Sequence, residues 1–162
     1  MTIDIIIPVE ARPKKNNPRI LWKKADKPFQ IKFGKYVACE IGYRPMIIPS
    51  EGNEEFEALV TPYFKEVLKT TGIINYPINI KALYYRSTKH RIDLSNLHEA
   101  LHDSMVKSGL ILDDNRDIIA GHDGSRVFYD KFNPRIEITI TELKDYTQWN
   151  DTKNIQTNLF KN

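Results

Sequence analysis

Residues 78–117 read INIKALYYRSTKHRIDLSNLHEALHDSMVKSGLILDDNRD. From Ile78 to Tyr85 apolar and polar residues alternate, which predicts a β-strand. Apolar residues then recur at helical spacing and a glycine follows them: Leu94, Leu97, Leu101, Met105 and Gly109. This spacing predicts an amphipathic helix that ends at Gly109.

Further strands are predicted on both sides of this stretch. Ile3, Ile5 and Ile7 suggest an opening strand that Pro8 ends, and the clearest strand is RIEITITE at 135–142, where isoleucines alternate with polar residues. Two more strands are expected to flank the loop at 121–125. Strands that flank a few helices within one short chain predict a compact α+β domain, with a mixed sheet packed by two main helices.

The other helix is predicted after the turn-like PSEGN at 49–53. Its apolar residues fall at helical spacing from Phe56 to Leu68, and Gly72 is the expected terminator. Pro62 lies inside the pattern and predicts a kink or a later start of the helix. Upstream, residues 11–28 are rich in proline, asparagine and basic residues and are predicted to form a loop, whereas 36–48 is strand-like.

Length and composition limit the class of protein. The chain has 162 residues, 41% hydrophobic and 28% charged, which is typical of one soluble globular domain. The single cysteine, Cys39, cannot form an internal disulfide, and no apolar run approaches the roughly 20 residues that cross a bilayer. We expect a cytoplasmic protein without a membrane segment, with a domain over 1–143 and a polar tail over 144–162.

The small net charge of +3 conceals an uneven distribution. The first 50 residues contain ten basic and four acidic side chains, whereas the remaining residues contain fourteen basic and seventeen acidic ones. The basic region is suited to an anion such as a phosphate, and the acidic region to a cation.

Carboxylates are concentrated around the central helix: Asp93, Glu99, Asp103, Asp113 and Asp114. Carboxylate oxygens are the ligands that Mg²⁺ prefers, and such a site can clamp the oxygens of a phosphodiester. Structural roles are the alternative for each residue. Asp93 could cap the helix, Glu99 could belong to a capping box, and the Asp113-Asp114 pair is common in turns.

The same helix contains a competing motif. His98, Glu99 and His102 read H-E-x-x-H, the signature of zinc metalloproteases, in which two imidazoles bind Zn²⁺ and the glutamate activates its water. The third ligand would have to be His122 or a downstream glutamate. His98 lies close to the apolar stripe of the helix and His102 lies on its flank, which favours histidines at the edge of the core.

From Asp93 to Asp114 the sequence resembles the RusA-like Holliday-junction resolvases. Their pattern is Asp-x-Asp-Asn-Leu-x-Lys, then an Asp within the helix, a Gly that closes it and an Asp-Asp pair. The residues that match without a gap are Asp93, Asn96, Leu97, Asp103, Gly109, Asp113 and Asp114. The likeness continues through NPRIEITITE and, more weakly, through PSEGNEEFEALV and ARPKKNN, and it leaves an apparent insertion at about 20–48.

The resemblance implies a homodimeric, Mg²⁺-dependent endodeoxyribonuclease for branched, four-way DNA, typically encoded by phages or prophages, with Mn²⁺ as a possible substitute. It assigns Asp93 and Asp114 as catalytic metal ligands, with Asp113 beside them. The chain departs from the pattern at Ser95, where the family has Asp, and at Glu99, where it has Lys. Because Glu99 restores the carboxylate count, we expect it to be the third catalytic metal ligand.

DNA contacts are expected from two basic segments. The loop after the first strand would contact phosphates, and the loop after Gly121 would replace the missing lysine of the family. The candidate residues are Arg12, Lys14, Lys15, Arg19, Arg126 and Lys131. Arg135 lies just beyond the second segment, and His122 could position a water molecule.

The polar tail ends in Gln156-Thr157-Asn158-Leu159-Phe160, which is similar to the Q-x-x-L-F peptides that dock on the bacterial sliding clamp. Gln156, Leu159 and Phe160 are therefore candidate clamp contacts. Two other functions remain as alternatives to the nuclease: a non-catalytic DNA-junction binder with a degenerate site, and a zinc hydrolase that uses His98 and His102.

Overall fold

The computed structural model describes residues 1–13, 19–33, 35–48 and 50–144. This part of the chain forms seven strands and two helices, and the α+β prediction is confirmed. In chain order the elements are β1 (Thr2–Ile7), β2 (Arg19–Phe33), β3 (Tyr36–Ile48), α1 (Glu51–Thr71), β4 (Ile78–Arg86), α2 (Leu94–Ser108), β5 (Ile119–Gly121), β6 (Arg126–Tyr129) and β7 (Arg135–Glu142).

The main sheet has five strands, with β4 near its centre. β7 lies between β1 and β4 and is antiparallel to both. The other edge of β4 pairs in parallel with two short strands in succession, with β5 near its start and β6 near its end. The loop between β5 and β6 is therefore held against the middle of β4.

The core lies between one face of this sheet and the two helices. Alternate residues of the strands are buried, as the period of two predicts. The buried apolar side chains include Ile78, Ile80 and Tyr84 of β4, Ile136, Ile138 and Ile140 of β7, Phe56, Val60 and Phe64 of α1, and Leu97, Leu101 and Met105 of α2. The side of α2 that faces this core also carries His98 and His102.

Helix α1 begins at Glu51, well before Pro62, so the proline does not delay the start of the helix. Ser50 caps it, and its Oγ accepts a hydrogen bond of 3.3 Å from the backbone N–H of Asn53. Buried residues precede and follow Pro62, so packing against the core holds one helix across a residue that lacks a backbone donor. The late start is therefore wrong, whereas Gly72 ends the helix as predicted.

The predicted loop over 11–28 is wrong for its second half. β2 begins at Arg19 and pairs with β3 in a separate antiparallel hairpin, with a register shift between Lys24 and Phe29. Pairing across the hairpin outweighs the weak local preference of a basic segment that contains proline. Exposed apolar side chains, among them Trp22 and Tyr43, lie on this hairpin.

Neither helix in the described part of the chain is both long enough and apolar enough to span a membrane.

Candidate functional sites along the second helix

The middle of α2 brings three histidines together. His98 and His102 lie one turn apart on the buried side of the helix, and His122 follows β5. One ring nitrogen from each residue lies within 4.8 Å of the nitrogens of the other two. We call His98, His102 and His122 the histidine triad. In this triad, His122 lies where the H-E-x-x-H motif would need its third ligand.

The loop that carries His122 is fastened to β4 by side chains. Asn79 Oδ1 accepts a hydrogen bond of 2.7 Å from the backbone N–H of Asp123, and Asn79 Nδ2 donates to the Asp123 carbonyl. Ser125 Oγ accepts from the Ala82 N–H at 3.0 Å and donates to the Ile80 carbonyl. Gly121 permits this approach, because a Cβ there would lie 2.9 Å from Asn79 Oδ1.

Two triad members are buried without complete hydrogen bonding. His98 is 8% exposed and His102 7% exposed, and the Nε2 atoms of both have no partner among the described residues. The other ring nitrogen of His98, Nδ1, lies 3.0 Å from the hydroxyl of buried Tyr84. When Nδ1 carries the proton and donates a hydrogen bond to the Tyr84 hydroxyl oxygen, the Nε2 lone pair is free.

Burial keeps these imidazoles neutral. Burial, together with a smaller effect of the nearby His122, lowers the pKa of His98 to about 4 and that of His102 to about 3, and His98 also contributes to the lowered pKa of His102. The pKa of exposed His122 is also lowered by partial burial, although Asp123 opposes that shift. Burial raises the pKa of Tyr84, which keeps its hydroxyl protonated. At neutral pH the three rings therefore present lone pairs rather than charges.

Neutral imidazoles suit a transition metal, and three of them leave a coordination position open. In the described part of the chain this is the one group of three or more His, Cys, Asp or Glu side chains close enough to hold one ion. The burial of His98 and His102 agrees with the expected position at the edge of the core. A position at the edge of the core does not by itself explain why His98 and His102 both lie close to His122.

Asp93 stands at the N-cap position of α2, but its side chain does not cap the helix. Its Oδ2 instead accepts a hydrogen bond of 3.3 Å from the side-chain amide of Asn96. The capping role that offered a structural explanation for Asp93 is therefore not used. Glu99 is half-buried in α2, and it belongs to no such ligand group in the described part of the chain.

Asp113 and Asp114 follow the other end of α2 and differ from each other. Asp113 accepts hydrogen bonds of 2.8 Å from the Asp114 N–H and from the side chain of Asn115, which makes it a turn residue. The exposed carboxylate of Asp114 has no partner within the described ranges. The 15 residues of α2 correspond to about 22 Å, and Asp93 and Asp114 lie beyond opposite ends of this helix.

Asp93 lines a cleft together with basic side chains that its sequence motif does not include. A cleft of about 710 Å³ is lined by Pro13, Arg86, His90, Arg91, Ile92, Asp93 and Asn96. Arg86 forms an ion pair with Glu10 at 3.5 Å, and Glu10 in turn accepts hydrogen bonds from Ser87. The sequence feature that could have indicated this cleft is the basic run RSTKHR at 86–91, two residues before Asp93. We call this site the basic cleft.

Some of the residues predicted to contact DNA form ion pairs with glutamates, and others are exposed. Arg12 pairs with Glu55 at 3.1 Å, and Arg19 pairs with Glu51 and Glu54 at 3.0 and 2.8 Å, so a phosphate would have to compete with these glutamates. Arg126 and Lys131 are exposed.

Arg135 stacks on Tyr85 and pairs with Asp130 and Glu137, a structural role. Lys14, Lys15 and the clamp-like residues Gln156, Leu159 and Phe160 lie outside the described residues, and their predicted roles stay predictions.

No model of a known protein family matches the chain, and no curated protein matches it.

Proposed function

We propose that this protein is a Mg²⁺-dependent endodeoxyribonuclease that cuts branched DNA, with four-way junctions as the expected substrate. The observation that carries the proposal is the basic cleft, in which Asp93 lies beside Arg86, His90 and Arg91. The RusA-like pattern from Asp93 to Asp114 supports the same activity. A carboxylate next to several cations suits a phosphodiester, because the cations attract the phosphate while the carboxylate can hold a metal ion.

The cleft favours phosphate for two physical reasons. Arginine offers paired N–H donors that match phosphate oxygens, and Arg86 is already oriented by Glu10. The cleft also lies at the N-terminus of α2, where the helix dipole is positive, and the first turn adds no acidic side chain to Asp93 at the N-cap. These contacts recognise the DNA backbone rather than a base sequence.

The carboxylates are the right chemical type for Mg²⁺, but the described residues of one chain do not bring three of them together at one point. Asp93 and Asp114 lie at opposite ends of α2. We therefore propose that the active form is the homodimer that the resemblance implies, in which Asp93 of one chain is completed by Asp114 of the other. When bound, Mg²⁺ would offset the charge that develops on the phosphate during hydrolysis.

A mixing experiment tests both parts of this proposal. Wild type, Asp93→Asn and Asp114→Asn are assayed on four-way, flap and duplex DNA with Mg²⁺ and with Mn²⁺. Each single variant is expected to lose strand cleavage. When the two variants are unfolded together and refolded in equal amounts, half of the dimers are mixed and each retains one intact site. Nicking then returns to about a quarter of the wild-type rate.

Asp117→Asn is the matched control, because Asp117 is an exposed aspartate of the turn after α2, and its cleavage rate should equal that of wild type. Cleavage that persists in both single variants contradicts the assigned carboxylates. Inactive variants whose mixture also stays inactive place the site within one chain and exclude the shared arrangement. A wild-type protein that binds four-way DNA but cuts none of the substrates with either ion is a junction binder rather than a nuclease.

A further inference from the structure

The histidine triad contains two polar atoms that the described part of the fold leaves unsatisfied. The Nε2 atoms of His98 and His102 are buried without a hydrogen-bond partner. Buried polar atoms without partners are rare in proteins because their desolvation is not compensated. Two such atoms beside a third imidazole would be satisfied together by one bound metal ion.

The three rings lie close enough together for their nitrogens to share one ion. The His102 and His122 rings have centroids 4.9 Å apart, and the corresponding distance for His98 and His122 is 4.6 Å. In tetrahedral zinc sites the Zn–N distance is about 2.0–2.1 Å, so bound nitrogens lie about 3.3 Å apart. The triad nitrogens lie within 4.8 Å of one another, and the widest pair would have to close by at most about 1.5 Å to reach that spacing.

The required movement is a rotation of side chains. The His98 and His102 ring centroids lie 5.4 Å apart on α2, so both rings turn toward the ion, and His122 approaches from its exposed position on a short loop. In the tautomer that carries its proton on Nδ1, His98 donates a hydrogen bond to the Tyr84 hydroxyl, which is the outer support that metal-bound imidazoles usually have, and its Nε2 lone pair faces away from Tyr84.

We infer that the histidine triad binds one divalent transition-metal ion of the Zn²⁺ class, through one ring nitrogen from each of His98, His102 and His122. Three imidazoles leave a fourth position open for water or another small ligand. This site is distinct from the carboxylates of the proposed nuclease. Its all-nitrogen ligands favour zinc, cobalt, nickel or copper over Mg²⁺, which prefers oxygen.

The test is direct metal binding by the whole chain, purified without a polyhistidine tag and stripped of metal by a chelator. Co²⁺ is added first, because a tetrahedral Co²⁺ site has a characteristic visible absorption. We expect one Co²⁺ per chain, displacement of Co²⁺ by equimolar Zn²⁺, and no displacement by a large excess of Mg²⁺. Zinc affinity is then measured by calorimetry.

Two single-histidine variants decide whether the triad is responsible. His122→Ala removes the exposed member, so the fold should persist, and zinc affinity should fall by at least about 100-fold, since even outer-shell changes reduce it about 10- to 100-fold. His90→Ala removes an exposed histidine that lies outside the triad and should keep the wild-type affinity. Circular dichroism of both variants verifies folding.

Three results would overturn the inference. The first is no saturable Co²⁺ spectrum in the wild type, which would make the triad a stack of neutral imidazoles. The second is equal zinc affinity in His122→Ala and His90→Ala, which would mean adventitious surface binding. The third is displacement of Co²⁺ by Mg²⁺, which would indicate a carboxylate site. Because these measurements contain no DNA, failure of the nuclease proposal would leave their outcome unchanged.

Discussion

The middle of α2 carries buried neutral imidazoles, whereas its two ends carry exposed carboxylates. The three histidines approach one another within one chain, whereas Asp93 and Asp114 lie beyond opposite ends of the helix. Burial explains the difference, because an imidazole can lose its proton and enter the core, while an ionised carboxylate in the core would need a partner. Uncharged ligands can be assembled before their metal arrives, whereas anionic ligands repel one another until a cation joins them.

The largest expected effect distinguishes two neighbouring aspartates at one end of α2. Asp114→Asn should reduce Mg²⁺-dependent cleavage by about 10²–10³-fold, the typical loss when one transition-state stabilising group is removed. Asp113→Asn should change the rate only a few-fold, because asparagine can also accept the hydrogen bond that Asp113 receives from the Asp114 N–H. Single-turnover cleavage of a four-way junction measures both. Equal losses would show that Asp113 also acts in the site.

The next effect concerns stability in the middle of α2. His102→Leu replaces a buried imidazole that has an unpaired nitrogen with an apolar side chain of similar size. In metal-free protein it should raise the free energy of unfolding by about 1–3 kcal/mol, the penalty usually attached to an unsatisfied buried group. Urea denaturation measures this, and Asp93→Asn, at an exposed position, should stay within about 0.5 kcal/mol of wild type. A loss of stability in His102→Leu would mean that the imidazole stack is itself favourable.

The smallest effect concerns the loop that completes the triad. In Gly121→Ala the new Cβ meets Asn79 Oδ1, which already accepts a hydrogen bond from Asp123. The resulting shift should lower the free energy of unfolding by about 1 kcal/mol, and displacement of His122 should weaken zinc binding by no more than about tenfold.

Gly42→Ala is the control for this loop variant. A Cβ at Gly42 meets nothing within 4 Å, so zinc affinity should be unchanged. Calorimetry and urea denaturation compare the two alanine variants. Equal zinc affinity in both would show that the contact between Gly121 and Asn79 does not position His122.

Most of the main sheet was predictable because its signals are local. The alternation in β7 and the helical spacing and terminal glycine of α2 appear directly in the sequence, and the structure contains both elements. The first part of β2 was missed because its strand character depends on pairing with β3. No local pattern of basic residues and proline reports a partner that lies later in the chain.

The candidate sites were less predictable because they depend on distance in space. The sequence places His98 and His102 on one helical face, but His122 reaches them only through the parallel pairing of β5 and β6 with β4. Conversely, the carboxylates from Asp93 to Asp114 look concentrated in the sequence, although a helix of about 22 Å lies between the first and the last. Clustering along a chain and clustering in space are therefore different properties.

The start of β2 and the end of β3 lie next to each other. Its first and last paired residues, Arg19 and Ile48, are partners, and Arg19 is tied to the first turn of α1. A longer or shorter β2–β3 hairpin does not alter the strand order of the five-stranded sheet. The entropy of closing a connection also varies only logarithmically with its length. The length of the hairpin can therefore change without altering the strand pairing that surrounds α2.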